Sequence, residues 1–190
     1  RASSALREMG AQVDTPDWLA PGEACDLPFH GAPTGDVCVA VRDALEAAPV
    51  DIAVQAAEGR RKSILVADMD STIVTTETLD ELAAHAGVKD KVAAITARSM
   101  NGELDFEESL RERVAMLAGL PATALGEVAS RTVLTPGART LVVTRRAHGA
   151  YTVLVSGGFL YFTSRIRAAA GFDLDIANDL EIVDGRLTGR

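Results

Sequence analysis

The sequence predicts an α/β fold, a parallel sheet with a block of helices inserted behind its first strand. Two observations carry this. Ile64-Leu65-Val66-Ala67 is a short, continuous apolar run, and Tyr151 to Val155 reads as a second apolar strand, the pattern of strands within a parallel sheet. Helical patterns lie between and after them, and alternation of strand and helix implies a parallel α/β sheet. The first run suits a central strand covered on both faces.

The bulk properties bound the possibilities. A chain of 190 residues makes one domain of ordinary size with room for a smaller appendage. Hydrophobic residues make up 47% and charged residues 24%, a globular composition. The net charge is −8, and Arg60-Arg61-Lys62 is the only basic run. Duplex nucleic acid and anionic membranes are therefore poor partners. Two cysteines, Cys25 and Cys38, suggest neither a disulfide framework nor a zinc site, and fit a reduced, cytoplasmic setting. There is no apolar stretch of about 18 residues and no secretory pattern. Oligomeric state has no signature here.

The elements follow in order. Residues 1–60 read as an N-terminal extension, possible material for a small regulatory α/β domain. Pro16, Pro21, Pro28 and Pro33 punctuate a loop-rich stretch. Val37, Val41, Leu45 and Ala48 share a helical face, Pro49 ends that helix, and Val50 to Gln55 reads as a strand. Arg60-Arg61-Lys62 is a polar hinge. Residues 78–130 form a helical region. In it Val88, Val92 and Ile95 share one face, and Phe106, Leu110, Val114 and Leu117 another. Asp105 and Glu108 have capping-box spacing. A further short helix begins at Pro121. A helix from Gly137 to Ala147 closes near Gly149. The second strand runs into Ser156-Gly157-Gly158, ahead of a helix from Phe159 to Ala170. A short strand follows near Asp175 to Ala177. Asp184-Gly185 then joins two short runs as a hairpin.

In open α/β sheets, ligands bind beyond the carboxyl ends of the strands. Two polar clusters stand there. In Asp68-Met69-Asp70-Ser71-Thr72, two aspartates two residues apart can face one pocket. One carboxylate can attack phosphorus while the other moves a proton. A cation such as Mg²⁺ would offset their repulsion from a phosphate. Ser156-Gly157-Gly158 offers a hydroxyl and close backbone approach to an anion. Each cluster is also what an ordinary turn or helix cap uses.

Together they resemble a known family. DMDST and VSGGF are similar to the first two motifs of haloacid dehalogenase-like phosphohydrolases. DMDSTIVTTETLDELA, MNGELDFEESLRERV, LTPGA, TVLVSGGF and DGRLTG narrow the resemblance to phosphoserine phosphatases, from about Ile64 to Arg190. It implies a Rossmann-like core over 61–77 and 131–190, with a helical cap over 78–130. It also implies a Mg²⁺-dependent hydrolysis of O-phospho-L-serine, in L-serine biosynthesis. Asp68 would be the nucleophile and a metal ligand. Asp70 would be the acid and base, and a second ligand through its backbone carbonyl. Ser156 and the Gly157 amide would hold the phosphoryl group. Glu77 would face the substrate ammonium and Arg113 its carboxylate, with Met100 and Phe106 closing over the site. From the residues alone, Met100 and Phe106 read as core, Arg113 as a solvated charge and Glu77 as a helix-terminal charge.

The sequence also departs from that family. Its pattern continues with a lysine and a GDGxND motif, which complete the charge compensation and the metal site. No lysine follows Lys91 and no Gly-Asp-Gly occurs. Asn178-Asp179 is the nearest pair but follows the wrong element. A core incomplete at its C-terminus, with an open sheet edge, is expected, as in a piece of a longer protein. Two alternatives stay open. One is another phosphatase or phosphotransferase of the same superfamily. The other is a non-catalytic binding module, with residues 1–60 sensing an amino acid.

Overall fold

A computed structural model describes residues 1–32 and 34–190. Pro33, one of the four expected loop prolines, lies outside the described residues. The chain divides into two compact units, Arg1–Arg61 and Lys62–Arg190.

The first unit holds more regular structure than its prolines and glycines suggest. Helix α1 (Ala2–Glu8) is followed by strands β1 (Gln12–Val13), β2 (Asp17–Ala20), β3 (Ala24–Asp26) and β4 (Phe29–His30), then helix α2 (Thr34–Leu45). β1 pairs antiparallel with β4, and β2 with β3. Leu6, Ala11, Val37 and Val41 form a small core of their own. Two expectations fail here. α2 stops at Leu45, because the chain reverses through Glu46 in the left-handed region (φ 57°). Ala48 is therefore off the helix and exposed. Residues 50–55 form no strand. Ile52 and Val54 pack on the small core, but among the described residues no strand pairs with them. An alternating pattern specifies a strand only where another strand can pair with it.

The second unit carries the parallel sheet. Its elements are β5 (Ile64–Asp68), α3 (Thr78–His85), α4 (Lys89–Met100), α5 (Phe106–Ala115), α6 (Thr123–Arg131), α7 (Ala138–Ala147), β6 (Tyr151–Phe159), α8 (Leu160–Ala170), β7 (Leu174–Asn178), β8 (Ile182–Val183) and β9 (Arg186–Leu187). β5, β6 and β7 form a three-stranded parallel sheet in that order. β6, not β5, is central. β5 is an edge strand with Leu65 and Ala67 packed against the core, while Ile64 and Val66 are 59% and 62% exposed. The expectation of burial on both faces fails because the described helices pack on one face only. A continuous apolar run does not reveal how many of its faces find cover.

The covered face is built from Leu154 on β6 with Val142 of α7 and Phe162, Ile166 and Ala170 of α8. Full burial of each large apolar side chain contributes about 1.5–3 kcal/mol. The same cluster runs into the inserted helices through Leu82, Val92, Val114, Leu117, Leu125 and Val128. α5 starts as its sequence dictates. Asp105 accepts from the Glu108 N–H at 2.8 Å, and the Glu108 carboxylate accepts from the Asp105 N–H at 3.4 Å. Asp184 (φ 50°) and Gly185 (φ 72°) turn the β8–β9 hairpin, both left-handed as a two-residue turn of this hand requires. The hairpin bonds to the segment between α5 and α6, with Gly119 N–H on the Leu187 carbonyl and Ala122 N–H on the Gly185 carbonyl, both at 2.8 Å.

Thr152 is fully buried on β6 and needs partners. Asp173 supplies them. Its Oδ2 accepts from the Thr152 N–H and hydroxyl, both at 2.9 Å. These bonds hold the Asp173 carboxyl below the usual carboxylate range, the backbone bond most strongly, with Arg146 adding to the effect. A depressed folded-state pKa gives stability that is complete above the unfolded value and is lost as pH falls through the folded one. Asp173→Asn is thus expected to flatten the acid limb of stability. Urea midpoints measured from about pH 6 down to about pH 2.5 should fall less in the variant than in the wild type.

Candidate active site

Asp68 is the last residue of β5 and sits opposite Val155 on β6. Ser156 is the next residue on β6, so both polar clusters emerge at the same, carboxyl end of the sheet. After Asp68 the chain winds into a tight turn over Met69–Ile73, closed by the Val74 N–H on the Met69 carbonyl at 3.0 Å. Met69 and Ile73 are buried and anchor the turn. Asp68, before Met69, is exposed, and Asp70, after it, is half-buried.

Both Asp70 oxygens are held. Oδ1 accepts from the Thr78 N–H at 2.7 Å, and Oδ2 accepts from the Ser156 hydroxyl at 3.2 Å. Thr78 is the first residue of α3, and its N–H is one of the donors a helix start leaves free. Ser156 Oγ in turn accepts from the Gly158 N–H at 2.8 Å. Asp68 has a weaker tie, accepting from the Thr72 hydroxyl at 3.3 Å. Its carboxylate thus keeps most of its lone pairs free at the mouth of the site.

Ser71 adopts a left-handed conformation (φ 50°, ψ 11°), uncommon for a residue with a side chain and costing about 1–3 kcal/mol. Its hydroxyl donates to Glu77 Oε1 at 2.6 Å, which ties the turn to the residue preceding α3. Gly158 must be glycine for space. A Cβ there would lie 3.0 Å from Ser156 Oγ and 3.3 Å from Asp70 Oδ2. A Cβ on Gly157 would lie 3.2 Å from two ring atoms of Phe106, so that ring rests on the glycine backbone. Phe106 remains 60% exposed. It is not a core residue, despite its helical spacing with Leu110 and Val114. With Glu107, Leu110, Arg111 and Asn178 it lines an open cleft of about 390 Å³.

Arg113 is half-buried on α5. Its Nε donates to the Ser109 carbonyl at 3.1 Å. Burial pushes the guanidinium below its ordinary pKa, while Asp80 and then Glu77 act against that shift. It stays a cation under any ordinary condition, and among the described residues it forms no ion pair within 4.0 Å. Met100, at the end of α4, is 84% exposed and joins neither hydrophobic cluster. The structure does not bring it to the others.

One expectation about the glycine cluster needs correction. Ser156-Gly157-Gly158 does not follow the strand but lies within it. β6 continues to Phe159, and α8 begins only at Leu160. Pairing with β7 jumps from Val155–Ile176 to Phe159–Asn178. Three residues of β6 therefore bulge out opposite Ala177 alone. Such bulges re-aim backbone groups beside active sites. Sequence reasoning missed three members of this arrangement: Thr78, Ser71 as the tie to Glu77, and Asn178. The last donates through Nδ2 to the Gly157 and Gly158 carbonyls at 3.0 and 3.2 Å. Its position at the carboxyl end of the third parallel strand was the signal available.

Residues 65–190 match the haloacid dehalogenase-like hydrolases, and the chain belongs to that family. Phosphatases of this family generally use a divalent metal. The phosphoserine phosphatase of Streptomyces coelicolor is 44% identical over 189 residues, spanning 97% of this chain and 46% of that protein. That of Archaeoglobus fulgidus is 50% identical over 131 residues, 69% of this chain and 38% of that protein. A solved phosphoserine phosphatase with a phospho-aspartyl intermediate analogue superposes with a TM-score of 0.64 at 40% identity, over 68% of this chain and 62% of that one. The chain spans less than half the length of these two curated relatives.

The donor chemistry suits a small hard cation. The free carboxylate of Asp68 and the oxygens of Asp70 are the type Mg²⁺ takes, with waters and phosphate oxygens completing its shell. Among the described residues no group of three or more His, Cys, Asp or Glu converges on one point. Asp68 and Asp70 would supply one side of such a site.

Proposed function

We propose that this protein is a Mg²⁺-dependent phosphoserine phosphatase, hydrolysing O-phospho-L-serine to L-serine and phosphate in cytoplasmic serine biosynthesis. The observation that carries the reading is the Ser156–Asp70 hydrogen bond beside Asp68, which joins two motifs 86 residues apart at the carboxyl ends of paired strands. The relatives named above support it.

The residues divide the chemistry as follows. Asp68, with the more exposed and less engaged carboxylate, attacks phosphorus as the P–O bond to serine breaks. Asp70 gives its proton to the departing serine oxygen. It then takes a proton from water as that water attacks the aspartyl-phosphate, breaking the bond to Asp68 and releasing phosphate. Ser156 and the Gly157 amide hold phosphoryl oxygens. A bound Mg²⁺, held by Asp68 and the Asp70 backbone carbonyl, would neutralise phosphate charge. We assign residues 61–77 and 131–190 to the catalytic core and 78–130 to a cap. Within the cap, Phe106 shields the phosphoryl pocket. Met100 belongs to this lid if α4 moves inward.

Substrate choice rests on opposite charges. Glu77 suits the ammonium of phosphoserine, and Arg113 suits its carboxylate, which it can grip with two parallel bonds. Arg113→Ala is expected to lower kcat/KM for phosphoserine by about 100-fold. Phosphoethanolamine, which lacks the carboxylate, should change less than about 3-fold. Initial rates on both esters check this. Equal losses on the two would rule out the carboxylate role. A wild-type preference for esters without an amino-acid head would favour a different phosphatase or phosphotransferase.

A further inference from the structure

The bulge in β6 creates a problem that one side chain solves. Where Ser156-Gly157-Gly158 leaves the ladder, neither Gly157 nor Gly158 has a β7 residue paired with it in the register. Gly158 is buried and Gly157 exposed, and an unpaired backbone carbonyl is costly where water is kept away. The Asn178 amide takes both, at 3.0 and 3.2 Å. A primary amide has two N–H donors, one for each carbonyl. Because both partners are acceptors, the nitrogen must face them.

The consequence passes through the peptide plane. The Gly157–Gly158 peptide bond is trans, so the Gly157 carbonyl and the Gly158 N–H point in opposite directions. Drawing the carbonyl toward Asn178 aims the N–H the other way, onto Ser156 Oγ at 2.8 Å. That hydroxyl, with one lone pair taken, directs its hydrogen to Asp70 Oδ2 at 3.2 Å. The chain of contacts runs from the end of β7 to the Asp70 carboxylate in the turn after β5.

We infer that Asn178 is a positioning residue for the Asp70–Ser156 pair, acting through the Gly157–Gly158 peptide and not by touching substrate. The inference rests on the roles proposed above for Asp70 and Ser156. The Gly158 N–H holds Oγ from behind and so sets the direction in which the Ser156 hydroxyl points.

The test is a kinetic cycle on O-phospho-L-serine with Mg²⁺, comparing wild type, Asn178→Ala, Ser156→Ala and the double variant. Asn178→Ala should lower kcat about 10-fold with KM within about 2-fold, since misplacement of a reacting group acts on the chemical step. The double variant should be no worse than Ser156→Ala alone, because coupled residues are non-additive. Multiplicative losses, an effect confined to KM, or wild-type rates would overturn the inference. If Asn178→Ala does not fold, Asn178→Asp repeats the cycle, since its carboxylate has the same shape but no hydrogen to donate. Amide exchange supplies a readout independent of turnover. Gly158 N–H exchange should quicken about 10-fold in the variant while Leu154 in the same strand stays protected. Unchanged Gly158 exchange would sink the brace. If wild type turns over no phosphoserine, the substrate assignment falls and the brace is judged by exchange alone.

Discussion

Asp68→Asn is expected to remove O-phospho-L-serine hydrolysis almost entirely, by on the order of 10⁵-fold or more, the scale of losing a nucleophile. The change is nearly isosteric, so the fold has no reason to respond. Asp68 is exposed at the end of β5, and the hydrogen bond its carboxylate accepts from Thr72 can be kept by the amide oxygen. What disappears is the anionic oxygen proposed to bond to phosphorus. An amide oxygen neither attacks at a useful rate nor binds a hard cation as well. Turnover of phosphoserine, with thermal melting as a control, checks the prediction. Retained activity above about 1% of wild type would disqualify Asp68 as nucleophile.

Asp70→Asn should cost less, about 10²–10⁴-fold, the usual worth of general acid–base catalysis. Its signature should differ from that of Asp68→Asn. With p-nitrophenyl phosphate the leaving group needs no proton, so Asp68 can still be phosphorylated. Attack of water then lacks its base. The variant should release about one equivalent of p-nitrophenol per protein in a burst and then stall. Absence of a burst, with both substrates slowed equally, would indicate that Asp70 positions groups and does not move protons. The two Asp70 contacts make the experiment clean. An Asn can accept from the Thr78 N–H, and its NH₂ can donate to Ser156 Oγ.

Much of this architecture was legible because it is local. The parallel strands, the capping box at Asp105–Glu108 and the Asp184-Gly185 turn depend on residues within a few positions of one another. The N-terminal unit was less so. Its strands are two to four residues long, too short for a period-2 pattern to register. Conversely, residues 50–55 had the pattern and no partner. Phe106 had core spacing with Leu110 and Val114, yet it begins α5 where its ring meets Gly157 and not the helix cluster. Helical periodicity says which residues share a face but not what the first turn of that face meets.

By itself the sequence determined the chemistry on offer: two carboxylates around the end of one strand, a serine before two glycines near the end of another, and an acid before and an arginine within the inserted helices. Residue types and short spacings carry that information, because attack, proton transfer and charge pairing belong to functional groups. Only the tertiary structure decided how those groups face one another. It set Asp68 beside Val155, turned Asp70 between the start of α3 and Ser156, and bulged β6 so that Asn178 could hold its glycines. These relations depend on strand register and on backbone carbonyls and N–H groups. Every residue carries those, and their direction is fixed only when the elements pack.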